Sequence, residues 1–368
     1  MSGIYIHIPF CKQACNYCNF HFATSLLKKD ALLAAMRKEI ALTAKDQHTP
    51  VHTIYFGGGT PSLLCIEEIT SLLQAIRSFY KVDTYAEITL EANPDDITEE
   101  KLQDWKDIGI NRLSIGIQSF FEEDLEWMNR AHDAGQAKRS LQLALQYFEN
   151  ITIDLIYGTP GLTHERWQQN VATAIALKVP HLSCYALTIE PKTPLDKLIR
   201  LQKKEDVNPS VQSEQFLLLM DWAKQAGYEH YEISNFAKPG FRSRHNASYW
   251  QGKPYVGIGP SAHSFNGVER SWNIANNQKY MDALEKEELP FEKEVLTPVQ
   301  KLNEYIMISL RTIEGIDLKK MLQEERSAVL KAAQKYIKQQ LLLHEGDALR
   351  LTNEGKLYAD GIAADLFF

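Results

Sequence analysis

Apolar, β-rich runs alternate with amphipathic stretches through the first half of the chain. The pattern predicts strands at Ile4–Ile8, His52–Phe56, Ala86–Glu91, Arg112–Gln118, Thr152–Tyr157 and His181–Thr188. Helical periodicity follows each strand, as over Leu26–Thr43 and Ile66–Tyr80, giving six βα units. Near-continuous apolar strands separated by helices predict an α/β fold on a parallel sheet with helices over its outer face. After the sixth strand the alternation fades. A helix is expected over Ser213–Ala226, a strand over Tyr228–Phe236, and a basic, turn-rich loop, Lys238-Pro-Gly-Phe-Arg-Ser-Arg244, closing over the C-terminal strand ends.

From Thr297 the pattern changes. Helices at Thr297–Thr312, Leu318–Gln323 and Ala328–Gln339 precede strands at Leu341–His344 and Leu349–Thr352, and a last helix starts at Asn353. That outline is winged-helix-like. Such folds often bind DNA, but this segment holds ten Lys/Arg against ten Asp/Glu, so docking to a partner or closure of the larger unit is the better expectation. The expected organisation is a (β/α)6 unit over 1–236, an extension closing it over 237–290, a linker near Glu285–Leu296 and a small domain over 297–368.

With 368 residues, 44% hydrophobic, the chain can bury one large core and a smaller second one. Its formal net charge of −7 gives no broad attraction to nucleic acid or anionic lipid. Charged residues interrupt every apolar run before it reaches spanning length, and no signal-peptide pattern opens the chain, so a cytoplasmic protein is expected, not an integral membrane one.

Three of the five cysteines, Cys11, Cys15 and Cys18, fall within eight positions. Thiolates so close in sequence can converge on one metal centre, whereas a disulfide inside so short a loop is strained. The spacing leaves two metals open. Zinc would take a fourth ligand such as His21; a [4Fe-4S] cubane would take the three thiolates and leave one iron free. Cys65 and Cys184 have no neighbouring cysteine and read as packing thiols.

Polar groups gather where the predicted strands end. Gly57-Gly58-Gly59-Thr60-Pro61 follows the second strand, Glu91-Ala-Asn93-Pro94 the third and Gln118-Ser119 the fourth, while Asp154 lies in the fifth. In a parallel α/β barrel that end carries the chemistry. A charge inside an apolar strand is costly unless paired or bound to something polar. Read alone, Asp154 would pair with Arg130.

The cysteine spacing, the preceding Tyr5-Ile-His-Ile-Pro-Phe10 and the Gly-Gly-Gly-Thr-Pro turn resemble the radical S-adenosylmethionine (SAM) enzymes, specifically the oxygen-independent coproporphyrinogen III oxidase-like group. The resemblance runs over nearly the whole chain. It implies a partial, six-stranded TIM-like barrel and a [4Fe-4S] cluster on Cys11, Cys15 and Cys18, with SAM chelating the free iron and cleaved by one electron to a 5′-deoxyadenosyl radical. By the same resemblance Tyr5, Tyr17, Gly58, Gly59, Thr60, Glu91, Gln118, Arg130, Asp154 and Ala186 contact SAM. In the oxidase relatives some of these positions hold a second SAM.

His245-Asn246-Ala-Ser-Tyr249-Trp250 resembles the signature of the group's heme-chaperone branch and implies His245 as the heme-binding residue, with His263, in a second glycine-rich segment, a weaker candidate. The oxidases carry another cysteine two positions after the third, where this chain has Phe20, and an N-terminal extension, whereas the first strand here begins almost at Met1. Heme binding and delivery to acceptors such as respiratory-chain proteins is therefore expected. The alternatives are radical oxidative decarboxylation of coproporphyrinogen III propionates and a zinc-stabilised interaction protein.

Overall fold

The computed structural model describes residues 3–44 and 49–368. Six parallel strands form its centre: β1 (Gly3–Ile8), β2 (Val51–Gly58), β3 (Val82–Ala92), β4 (Arg112–Gln118), β5 (Ile151–Tyr157) and β6 (His181–Ala186), paired in chain order. Helices α1 (Lys29–Thr43), α2 (Ile66–Phe79), α3 (Glu99–Asp107), α4 (Glu122–Met128), α5 (Ala134–Tyr147) and α6 (His164–Ala176) lie between them. Outward strand residues such as Ile4, Ile6, Ile54, Leu90, Leu113, Ile153 and Leu182 are fully buried and join Leu72, Trp105, Leu141 and Trp167 of the helices in one core. The inward positions are different. Thr53, Glu87, Thr89, Arg112, Thr152, His181 and Ser183 are buried and polar, so the interior of the curled sheet is polar, and all of these side chains but Thr89 make hydrogen bonds there.

The sheet does not stop at six strands. After α7 (Pro194–Arg200) and α8 (Pro209–Gln225), the stretch expected as one strand over Tyr228–Phe236 is a tight antiparallel pair, β7 (Glu229–Glu232) and β8 (Asn235–Ala237), with β8 on β6. Past α9 (Arg244–Trp250), β9 (Tyr255–Ile258) pairs parallel with β1, opposite its β2 edge. Strands β10 (His263–Phe265), β11 (Glu269–Asn273) and, after α10 (Asn277–Glu285), β12 (Phe291–Val295) continue antiparallel to a twelve-stranded sheet. The segment expected as a linker thus contains an edge strand, which its polar sequence Phe-Glu-Lys-Glu-Val conceals.

The loop 238–244 also departs from expectation: it closes the opposite end. The backbone amides of Arg244 and His245 donate to Glu87, and Arg244 Nη1 donates to the Tyr85 carbonyl. Tyr85 and Glu87 lie in the N-terminal half of β3, so α9 plugs the N-terminal end of the barrel and leaves the C-terminal mouth open.

The C-terminal unit comprises α11 (Pro298–Leu310), β13 (Ile316–Asp317), α12 (Gln323–Lys338), β14 (Leu342–Glu345), β15 (Ala348–Leu351), α13 (Asn353–Lys356) and α14 (Ala359–Asp365). Only Leu318–Lys320 of the helix expected over Leu318–Gln323 forms, as a single 3₁₀ turn. Its own core includes Ile306, Leu310, Ile316, Leu342, Leu349 and Ile362. It docks on the β7–β8 hairpin through Ile233 N–H to Arg311 O (3.0 Å), Ile313 N–H to Tyr231 O (3.0 Å) and Lys356 Nζ to His230 Nδ1 (2.9 Å). No helix among the described residues is long and apolar enough to cross a membrane.

Candidate functional site

The cysteine loop leaves β1 and is held from both sides. Gly59 N–H donates to the Ile8 carbonyl at 2.8 Å, and a Cβ on Gly59 would stand 2.5 Å from the Phe10 carbonyl. Gly58 has φ +108°, and a Cβ there would meet the His7 ring at 2.6 Å. The glycines are thus required for the close approach of β2 to the start of the loop. On its other flank Lys12 forms ion pairs with Asp95 (2.7 Å) and Asp96, and Ser62 Oγ donates to Asp96 at 2.6 Å.

Cys11, Cys15 and Cys18 line a cavity of about 530 Å³ at the C-terminal strand ends, with Tyr17, Gly58, Gly59, Thr60, Glu91, Gln118, Arg130, Asp154 and Ala186. Thr60 Oγ1 donates to Cys11 Sγ (3.6 Å) and Arg130 Nη1 to Cys15 Sγ (3.3 Å). Arg130 does not pair with Asp154; its Nη2 donates to Asn93 Oδ1 (2.8 Å) and the Gly116 carbonyl (3.0 Å). Glu91 accepts from Tyr55 O–H (2.8 Å) and Gly58 N–H (3.1 Å). Burial, then the neighbouring Asp154, pushes the Glu91 carboxyl up to about 8. Asp154 rises to about 7 through burial, against a Ser183 hydrogen bond and the Arg130 charge. Gln118 sits in a bulge with φ +64°, a strained conformation for a residue with a side chain.

Tyr5 is not in this cavity. It lines a larger one of about 1190 Å³, with His7, His21, Tyr249, Trp250, Tyr255, His263, Phe265, Arg270, Lys301 and Lys320 among its wall residues. Asn19 and Phe20 line both cavities, so the end of the cysteine loop is their shared partition. His263 belongs to the large cavity, not to the cysteine one. His21 does too, with Nε2 bonded to Asn277 Oδ1 at 2.7 Å, so it does not complete a Cys₃His set.

His245 lines neither. It is 1% exposed, with Nδ1 bonded to Thr53 Oγ1 and Nε2 to Tyr249 O–H, both at 2.8 Å. Its ring stacks on Tyr55 at 5.0 Å, and burial lowers its pKa to about 3. Both ring nitrogens of His245 are thus engaged by side chains of the barrel and of α9.

The cysteine cavity fits a cluster with SAM. Burial pushes the Cys11 thiol up to about 11, a group that needs a metal to hold it as thiolate. The Arg130 guanidinium beside Cys15 has its buried Nε without a partner, a charge suited to an anionic centre. Among the described residues no three His, Cys, Asp or Glu side chains stand close enough for a single metal ion. Asn93, Ser114 and Tyr185 also line the cavity. Ser114 shares the alternate positions of Arg112, Gly116 and Gln118 on β4, a period-two signal of an inward face that could have identified it. Of the two remaining cysteines, Cys184 is buried as a packing thiol is, whereas Cys65 is exposed at the start of α2.

Comparisons with known proteins agree with this geometry. The family described as the Radical SAM superfamily matches residues 5–174, and the HemN C-terminal domain matches 296–358. The chain is 33% identical to the heme chaperone HemW of Bacillus subtilis (strain 168) over 98% of each chain. It is 34% identical to heme chaperone HemW of Mycobacterium tuberculosis (strain ATCC 25618 / H37Rv), over 99% of this chain and 94% of the relative. Among solved structures it is similar to coproporphyrinogen III oxidase (HemN) from Escherichia coli, with TM-score 0.86 and 23% identity over 100% of this chain and 90% of that one. At that identity the likeness shows the fold.

Proposed function

Because the chain belongs to the HemW family of the radical SAM superfamily, we propose that it is a heme chaperone that binds heme and passes it to heme-accepting proteins, among them membrane-associated respiratory enzymes. The observation that carries this reading is the shared partition. A large cavity walled by Tyr249, Trp250, Tyr255 and Phe265 lies directly behind Asn19 and Phe20 of the cysteine loop. Aromatic rings pack on a porphyrin face, and Lys301, Lys320 and Arg270 in the same wall suit propionates.

Cys11, Cys15 and Cys18 would hold the [4Fe-4S] cluster. Bound together, cluster and SAM supply one-electron reductive cleavage at the sulfonium. Glu91, Asp154 and the Gly58–Gly59 backbone offer acceptors to an ammonium, Gln118 and Thr60 offer hydrogen bonds, and Arg130 balances the negative charge of the thiolates. Five free thiols among the described residues suit a reducing compartment, the cytoplasm.

The test loads the anaerobically reconstituted chain with hemin and follows its absorption. Saturable binding is expected in the wild type and also in the Cys11→Ala/Cys15→Ala/Cys18→Ala variant, which loses its iron-sulfur absorption and sulfide content. Incubation with coproporphyrinogen III, SAM and a reductant should leave the propionates intact; stoichiometric vinyl formation would favour the oxidase activity instead.

A further inference from the structure

Between Lys192 and Lys204, α7 and its flanking turns carry five basic residues, Lys192, Lys197, Arg200, Lys203 and Lys204, against one acid, Asp196, in a chain of net charge −7. Asp196 is already engaged: it pairs with Arg200 and accepts the Lys192 backbone N–H at 2.8 Å. Lys192, Lys197 and Lys203 are exposed, and among the described residues none of their ammonium groups has an ion-pair or hydrogen-bond partner. Lys192, Lys197 and Arg200 line an open groove of about 610 Å³ with Thr193, Pro194 and Leu201.

The inner side of the same segment lies on the cysteine loop. Leu195 N–H donates at 2.8 Å to the carbonyl of Asn16, which stands between Cys15 and Cys18, and the buried Leu195 side chain joins a small core with Tyr17 and Trp127. Asn16 Nδ2 (3.4 Å) and Lys204 Nζ both donate to the Trp127 carbonyl, and Lys204 Nζ lies 4.2 Å from the Trp127 ring centroid. Basic surface and cysteine loop are thus two sides of one packed unit.

We propose that this basic face is the docking surface of an acidic one-electron carrier protein, bearing a low-potential flavin or iron–sulfur centre, that reduces the cluster. The assignment rests on the cluster reading above, which needs an electron from outside the chain. The docked carrier is oxidised by one electron and the cluster reduced by one, with no group exchanged between the proteins. The donor's centre has to come close to the cluster, and α7 is bonded to the loop that holds it. Unpaired lysines around a groove steer an acidic partner from a distance and hold it weakly, as a carrier that must leave again requires. Anionic lipid headgroups would also meet lysines, but a helix lying on a membrane buries apolar side chains in it. Within Lys192–Lys204 only Leu201, 55% exposed, offers a large apolar side chain to solvent, while Leu195 and Ile199 pack inward.

The test mixes the full chain carrying its cluster, under anaerobic conditions, with photoreduced flavodoxin, an acidic FMN protein, as the probe, and follows the EPR signal of the reduced cluster. Lys192→Glu/Lys197→Glu/Lys203→Glu should slow reduction by flavodoxin about tenfold or more at low salt and weaken its calorimetric binding in parallel. Added salt should slow the wild type toward the variant. Iron content and the rate of reduction by dithionite, which needs no docking surface, should stay at wild-type values. The milder Lys192→Gln/Lys197→Gln/Lys203→Gln should give a smaller slowing in the same direction. Equal rates in the wild type and the charge-reversed variant overturn the assignment. So does an equal slowing in Lys106→Glu/Lys331→Glu/Lys338→Glu, which changes the net charge by the same amount elsewhere, or a matching loss with dithionite, which would place the effect in the loop. Loss of binding to phosphatidylglycerol vesicles with unchanged reduction by flavodoxin would give the surface to a membrane instead. A chain that assembles no iron–sulfur cluster refutes the cluster reading itself, a result distinct from a cluster that flavodoxin reduces equally well in wild type and variant.

Discussion

Glu91 and Asp154 show how a binding cavity sets the acid–base behaviour of single side chains. Each carboxyl loses water to the barrel interior and is held well above its ordinary range, to about 8 and about 7. A carboxyl raised on folding makes the native state bind more protons than the unfolded chain, so its contribution is full below the unfolded value and is lost as pH rises through the folded one. The cofactor-free protein should therefore lose thermal stability from about pH 4.5 to about 8 at Glu91. Glu91→Gln and Asp154→Asn should each flatten this decline while approaching the wild type below about pH 4, as measured by scanning calorimetry. A decline as steep in both variants would place its origin elsewhere. These two residues were legible because charge stands out in an apolar strand; Ser114 was marked only by its alternation with Arg112, Gly116 and Gln118, and Tyr185 not at all, because an aromatic residue in a strand reads as packing.

At the level of elements, the six parallel strands were readable from their apolar runs, with most limits within a few residues. The edge strands were not. β11 and β12, Glu269–Asn273 and Phe291–Val295, carry mixed polar residues because the first is mostly half-buried and the second exposed on both faces, so no apolar run announces them. The hairpin of β7 and β8 was masked by continuous strand-like composition across its turn at Ile233-Ser234. The loop 238–244 was placed at the wrong end because turn composition carries no direction. The glycine turn after β2 is a place of close backbone approach to the start of the cysteine loop. Gly59→Ala would drive a methyl group into the Ile8 and Phe10 carbonyls and should destabilise the protein by about 2–4 kcal/mol. Because the same carbonyls fix the start of the cysteine loop, iron incorporation on reconstitution should fall with it. Normal stability with full iron content would show that the turn can shift without disturbing the loop.

Across the whole molecule, α1 and the extension are joined by a buried carboxylate. Glu39 is 1% exposed and accepts from Gly259 N–H (2.8 Å), Asn273 Nδ2 (2.6 Å) and Tyr280 O–H, three points in the segment that follows the barrel. Glu39→Ala leaves Gly259 N–H and Tyr280 O–H without an acceptor, at about 1–3 kcal/mol each, and Asn273 Nδ2 with the Gly259 carbonyl (2.8 Å) alone. The melting temperature should drop by about 5 °C or more, with Glu39→Gln intermediate; an unchanged melting temperature would mean that water replaces the carboxylate. The place of β9 beside β1 has a further consequence for how the chain is made. About 250 residues separate the two strands, and at the usual pace of synthesis that is roughly 10–50 s during which one side of β1 has no hydrogen-bonding neighbour. A nascent chain on the ribosome would expose that edge to neighbouring polypeptides, and a chaperone acting during translation would have this interval in which to cover it.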